Sequence, residues 1–324
     1  MKLPQLKQVK AYGRKQGLRA KKAIKRFESL ARLLKKRDYK KVDEFFFSRE
    51  ELPFSGKEYW FMNFVSNKGD KTQLVLTFGR SELPMSINER VDLNGSVAAV
   101  GWLYNGKKKV LWDKAMKLTQ EKRGLKTKEF SFTGSYPAYE LQIGKNTLLK
   151  MKKRRKGAGY EITNTFVRSL GVGLINLYVD VSGVLDGKRF TGSGYVQKVA
   201  AITPFIPWRW VRISFQNGAI LDFFAPRIPV AEREFMSSAT FFDGKKKHAL
   251  KNTTLKKLAG DRWLLSGDGF AAYLRSYAFK PFVLRGVGEF HYDEYFVECL
   301  DFHYKNKEFG KGIGIVEDAY GLIV

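Results

Sequence analysis

Cysteine is nearly absent from this chain. A single residue, Cys299, in 324 excludes an intrachain disulfide and any zinc cage built from cysteines. Histidine is almost as scarce, with only His248, His291 and His303, and none stands at an established metal-ligand spacing. No apolar run is long enough to span a bilayer, and the charged N-terminus lacks the apolar stretch of a secretory signal. The expectation is an intracellular protein, cytoplasmic or peripheral on the inner membrane surface. Nucleotide signatures are missing too. FGKGIGIVED carries a G-x-G, but another apolar strand follows it where a phosphate loop needs a helix, and there is no Walker-type motif or G-x-S-x-G elbow. No cofactor and no metal is expected.

Acid is also in short supply. There are 32 Asp and Glu against 59 Lys and Arg, a net charge of +27. Residues 1–42 hold sixteen of the bases against only Glu28 and Asp38, a surplus of 14 of the 27. A local excess of this kind suits a polyanion, either anionic lipid headgroups or nucleic acid. Within it, Leu18, Ala23, Ile24, Phe27, Leu30, Ala31 and Leu34 recur at helical spacing, predicting a basic amphipathic helix over 18–37. Such a helix either docks its apolar face on the body or lies on a membrane.

Aromatics, by contrast, are plentiful at 15%. From Glu58 onward they sit in short β-branched runs such as YWFMNFVS, SVAAVGWLY and WVRISF. Asn94-Gly95, Asn105-Gly106, Asp186-Gly187, Asn217-Gly218 and Asp268-Gly269 separate many of these runs as hairpin turns. A helical turn is expected near Asp113–Thr119 and otherwise an all-β body. EYWFMNFVSNKGDKTQLVLTFGR (58–80) and PWRWVRISFQNGAILDFFAPR (207–227) share one order of features: a strand with Trp, a Gly turn, an apolar strand, then Arg. This faint repeat implies two similar antiparallel units in tandem.

KEYWFMNFVSNKGDKTQLVLTFGRS resembles the opening hairpin of the tandem lipocalin-like superfamily, which includes carotenoid 1,2-hydratases, tocopherol-cyclase-like proteins and AttH-like proteins. Glu58, Tyr59, Trp60, Phe61, Phe78 and Arg80 stand at its motif positions. Gly194-Tyr195 followed by Trp208 and Trp210 is similar to the family's G-x-G-Y and Trp-x-Trp strands, and GIGIVEDAYG, with Glu317, resembles its closing strand. The resemblance implies two tandem lipocalin-like β-barrels, 46–190 and 191–324, behind a basic helical segment, 1–45. It also implies an apolar ligand such as an isoprenoid, carotenoid or other lipid, and hydratase or cyclase chemistry. One departure bears on the reaction: hydratase-like members carry a basic residue or His and then Trp-Gly after G-x-G-Y, whereas this chain reads Val-Gln-Lys-Val-Ala.

Adding a proton to an alkene needs an acid kept protonated by burial, and aromatic faces to stabilise the cation. The candidate acids are Asp222, Glu289 and Asp293; the candidate ligand-binding residues are Trp60, Tyr195, Trp208, Trp210 and His291. Glu289, His291 and Asp293 alternate on one strand face, which a solvent-facing strand also produces. A two-residue turn at Asn217-Gly218 would place Asp222 opposite Ile213, facing away from both tryptophans and toward a basic partner such as Arg209. Two further functions fit the composition. A nucleic-acid-binding protein would need Trp208 and Trp210 exposed for stacking, and a structural β protein would bury both with no ligand.

Overall fold

The computed structural model describes residues 6–87, 89, 90, 96–154, 160–162, 171–202, 207–228, 234 and 236–323. The turn at Asn94-Gly95 and residues 155–157 of the second basic cluster lie outside them. The aromatic and β-branched runs form antiparallel strands in two large sheets. In the first, Lys57–Ser66 lies between Gln73–Ser81 and Lys188–Ala201. The second repeats this arrangement, with Trp208–Phe215 between Ile220–Pro226 and Gly312–Ile323. In each sheet the two edge strands are neighbours in sequence: Lys108–Lys117 with Thr119–Glu121, and Lys247–Leu250 with Thr254–Leu258. Each sheet therefore curls back on itself, and the two form a nearly closed barrel and a half-barrel. Residues 113–117, expected as part of a helical turn, belong to the edge strand Lys108–Lys117.

The last strand of the first sheet ends at Ala201, and the next strand, in the second sheet, begins at Trp208. Strand Lys188–Ala201 pairs along its whole length with Val172–Leu185. Asp186 and Gly187, at φ 50° and 78°, close that hairpin as a two-residue turn with both residues left-handed. The sheets also share a crossing, since Ser86–Ile87 pairs with Phe270–Gly286 of the second.

Several strands are apolar throughout because both of their faces are covered. In Lys57–Ser66, Trp60, Met62 and Phe64 point into the first barrel's core, and Phe61 points outward into a separate cluster. That cluster fills the seam where the outer faces of the two sheets meet. Trp102 and Phe296 stack there across the seam, with centroids 3.7 Å apart.

Two helices precede the sheets, α1 (Leu6–Lys35) and α2 (Tyr39–Phe47). α1 begins twelve residues before the expected 18–37. Its apolar positions divide: Phe27 and Leu30 are buried against the first barrel, while Leu18 is 69% exposed and Ile24 45%. A Cβ at Gly173 would lie 2.3 Å from the Phe27 ring, so the barrel wall needs glycine where α1 docks. α2 closes the first barrel's interior with Val42, Phe45, Phe46 and Phe47, all buried. The carbonyls at a helix C-terminus have no intrahelical donors. Here Lys198 Nζ, at 3.1 Å, donates to the Phe45 carbonyl, and Trp60 Nε1, at 3.0 Å, to that of Phe46. Burial lowers the Lys198 amine to about 8, against the opposing charge of Glu58, 3.7 Å away. Midway along α2, Asp43 accepts hydrogen bonds from the Tyr136 amide and the Tyr139 hydroxyl, each 2.6 Å.

Candidate functional site between the two sheets

Trp208 and Trp210 stand on one face of their strand, and that face looks into the seam, away from the second barrel's interior. Val211 and Ile213, on the other face, line that interior. Trp210 is 7% exposed and Trp208 half-buried. Trp210 packs edge-on against Phe61 and Tyr195 from the first sheet, at 5.7 and 5.8 Å. Arg212 continues the same face, and its guanidinium lies 4.2 Å from the Tyr195 ring and 4.8 Å from that of Trp210.

Asp222 belongs to this group, contrary to the expected register. The Trp208–Phe215 hairpin pairs Arg212 with Asp222 and Ile213 with Leu221. The turn is longer than two residues: Phe215 N bonds Ala219 O, Gly218 N bonds Phe215 O, and the Asn217 side chain accepts from Ala219 N. A one-residue change of register carries every side chain to the opposite face. Asp222 thus forms an ion pair with Arg212 and accepts a bond from Trp210 Nε1 at 3.4 Å. Arg209 instead pairs with Asp318. Burial alone would depress Arg212, but Asp222, then Tyr178 and Tyr195, hold it above the usual arginine range.

Deeper in the seam lie two carboxyls that the sequence analysis did not select as acids. Glu294 and Glu317 are directly opposed on neighbouring strands, with 0% and 4% exposure. Trp208 Nε1 donates to Glu317 at 2.9 Å, and Trp102 Nε1 donates to Glu294 at 2.6 Å from the other sheet. Burial and then the neighbouring Glu317 raise Glu294 to about 8. Burial likewise raises Glu317 to about 7, against the hydrogen bonds from Tyr292 and Trp208 that favour its ionised form. Glu294 Oε1 and the Tyr195 hydroxyl meet no hydrogen-bond partner among the described residues. The seam thus sets two carboxyl groups, both raised by burial, against indole and phenol rings, with a paired guanidinium beside them. Such a set can donate a proton and stabilise positive charge on an apolar substrate.

The other candidates lie elsewhere. Glu289, His291 and Asp293 occupy the opposite face of the strand that carries Phe290, Tyr292 and Glu294. Glu289 accepts from Arg285 at 3.0 Å and meets His291 at 2.9 Å, and His291 stacks on Tyr320. Asp293 is raised by burial and by Asp318, but it stands beside Tyr295 and Lys257, outside the seam. Trp60 is enclosed in the first barrel. Glu294 sits in the same alternating run as Glu289 and Asp293, and only the opposing sheet distinguishes it from them.

Similar architectures occur in solved structures. An AttH-like protein from Nitrosomonas europaea matches at a TM-score of 0.53 and 10% identity, over 81% of this chain and 92% of that one. CghA, crystallised with Sch210972, matches at 0.51 and 12% identity, over 83% and 88%. Kievitone hydratase from Nectria haematococca matches at 0.45 and 13%, over 83% and 90%. The chain has the tandem lipocalin-like fold. No protein-family model matches the sequence, and no curated protein matches it.

Proposed function

We propose that the protein binds a long apolar ligand, an isoprenoid or related lipid, by parting the aromatic packing that fills the seam between its barrels, and that Glu294 or Glu317 can protonate an alkene of that ligand. In a hydration, the acid proton would go to one alkene carbon. Water would add its oxygen to the other and return a proton to the carboxylate; in a cyclisation a second alkene of the same molecule would bond to that cationic carbon, and the new cation would lose a proton to the carboxylate. Trp208, Trp210 and Tyr195 would face the cationic carbon. The ligand would enter at the outer end, where Trp208, Ile220, Asp222 and Phe224 are only half-buried. The observation that carries this is Glu294, fully buried in the seam opposite Glu317, raised by burial to about 8 and with no hydrogen-bond partner at Oε1 among the described residues. The CghA structure, with Sch210972 present, supports ligand binding on this fold. Base stacking by the two tryptophans has no such support, because their indoles are engaged with Glu317 and Asp222.

The test is mass spectrometry of solvent extracts from the purified protein after incubation with a total isoprenoid extract. The wild type should retain one stoichiometric species, which Trp208→Ala/Trp210→Ala loses. Glu294→Gln, which keeps the shape of the seam, should retain it unaltered. If nothing is retained by a wild type that circular dichroism shows to be folded, the proposal fails.

A further inference from the structure

The docking of α1 leaves a charged face unused. Its apolar contacts, Phe27 and Leu30, are spent on the first barrel. The cations flanking that contact are spent as well: Lys15 and Arg19 pair with Glu51, and Arg26 pairs with Glu50. On the opposite side, Lys10, Arg14, Lys21, Lys25, Arg32 and Lys35 are all exposed. They follow one another at three, four or seven residues, with Leu18 and Glu28 filling the longer steps, so they form one stripe along the helix. At 1.5 Å per residue the stripe runs about 38 Å. None of the six has an ion-pair partner among the described residues.

We propose that this stripe is a docking surface for an anionic phospholipid bilayer, bound through headgroup charge without insertion of the helix. An amphipathic helix that enters a membrane needs a continuous apolar face free; here Phe27 and Leu30 are packed on protein, which leaves only Leu18 and Ile24 exposed. What remains is a straight row of cations on a rigid rod, which touches a flat anionic surface along its whole length. A nucleic-acid duplex would curve away from the two ends of such a rod. Four of the six cations are lysines, which act as point charges and lack the planar, bidentate geometry that phosphate and base recognition draws from arginine. Each basic residue near an anionic surface strengthens binding about fivefold. This inference does not depend on the function proposed for the seam.

The test uses the full chain and flotation with phosphatidylcholine vesicles, with and without phosphatidylserine. Binding should require phosphatidylserine and fall as salt is raised. Lys21→Glu/Lys25→Glu/Arg32→Glu should weaken it at least about 100-fold. A control of equal net charge, Lys145→Glu/Lys150→Glu/Lys245→Glu, alters exposed residues on loops and strand faces and should weaken it far less. Equal losses in the two triple variants would reduce the effect to net charge and overturn the proposal. So would binding that survives the α1 triple variant, or displacement of the vesicles by duplex RNA at equal phosphate concentration.

Discussion

Glu294→Gln tests the seam through its effect on pH-dependent stability. An unfolded glutamate titrates near 4.5, whereas in the folded protein burial and Glu317 raise Glu294 to about 8. Between those values the native state holds a proton that the unfolded state has released, so stability falls as pH rises through that window. At 1.36 kcal/mol per pH unit the loss from Glu294 alone is on the order of 5 kcal/mol by pH 8. Glutamine keeps the shape and a carbonyl acceptor for Trp102 Nε1 while removing the titration. The variant should therefore match the wild type near pH 4.5 and exceed it increasingly toward pH 8, by roughly 10 °C in Tm. The remaining slope, up to about pH 7, would be that of Glu317. Thermal unfolding followed by circular dichroism across pH 5–8.5 is the assay. Parallel profiles for the two proteins would refute the assignment of a buried, protonated Glu294.

Other parts of the structure make separate predictions. Phe46→Ala, which empties part of α2's plug in the first barrel, should cost about 3–5 kcal/mol in denaturant unfolding. Gly173→Ala sets a methyl against the Phe27 ring and should destabilise by about 1–3 kcal/mol. Protease nicking of α1 should then appear before the barrels unfold. Cys299, 1% exposed and with its thiol raised to about 12 by burial, should resist alkylation at pH 8 in the native protein and react promptly in denaturant.

The fold was legible because the hairpins declare themselves: the Asp186-Gly187 turn and the continuous apolar runs survive intact as paired strands covered on both faces. The repeat between 58–80 and 207–227 also holds, as equivalent positions in the two sheets. The aromatic pattern within it does not superimpose, since Trp60 points into a barrel and Trp210 into the seam. Tyr195, Trp208 and Trp210 share the aromatic cluster of the seam. Asp222 joins them only because its turn is longer than the Asn-Gly pair suggested, a register that no local propensity dictated. Glu294 and Glu317 were hidden for a different reason. Burial of a strand's outer face depends on what packs over it, and the covering strand that contributes Trp102 lies about 190 residues away in sequence. The phenylalanines at 45–47 were equally silent, because a helix that plugs a barrel carries the same kind of apolar stripe as one lying on a surface.

The claim on which the seam depends is that it holds a carboxyl proton at neutral pH. Infrared difference spectroscopy between pH 6 and 9.5 reads it directly, through the C=O stretch of a protonated carboxylic acid. The predicted result is a band present at pH 7 that falls by half near pH 8, while Glu294→Gln keeps only the smaller Glu317 contribution, which falls by half near pH 7. A spectrum at pH 7 with ionised carboxylates only, or a band unchanged in the variant, would contradict the account.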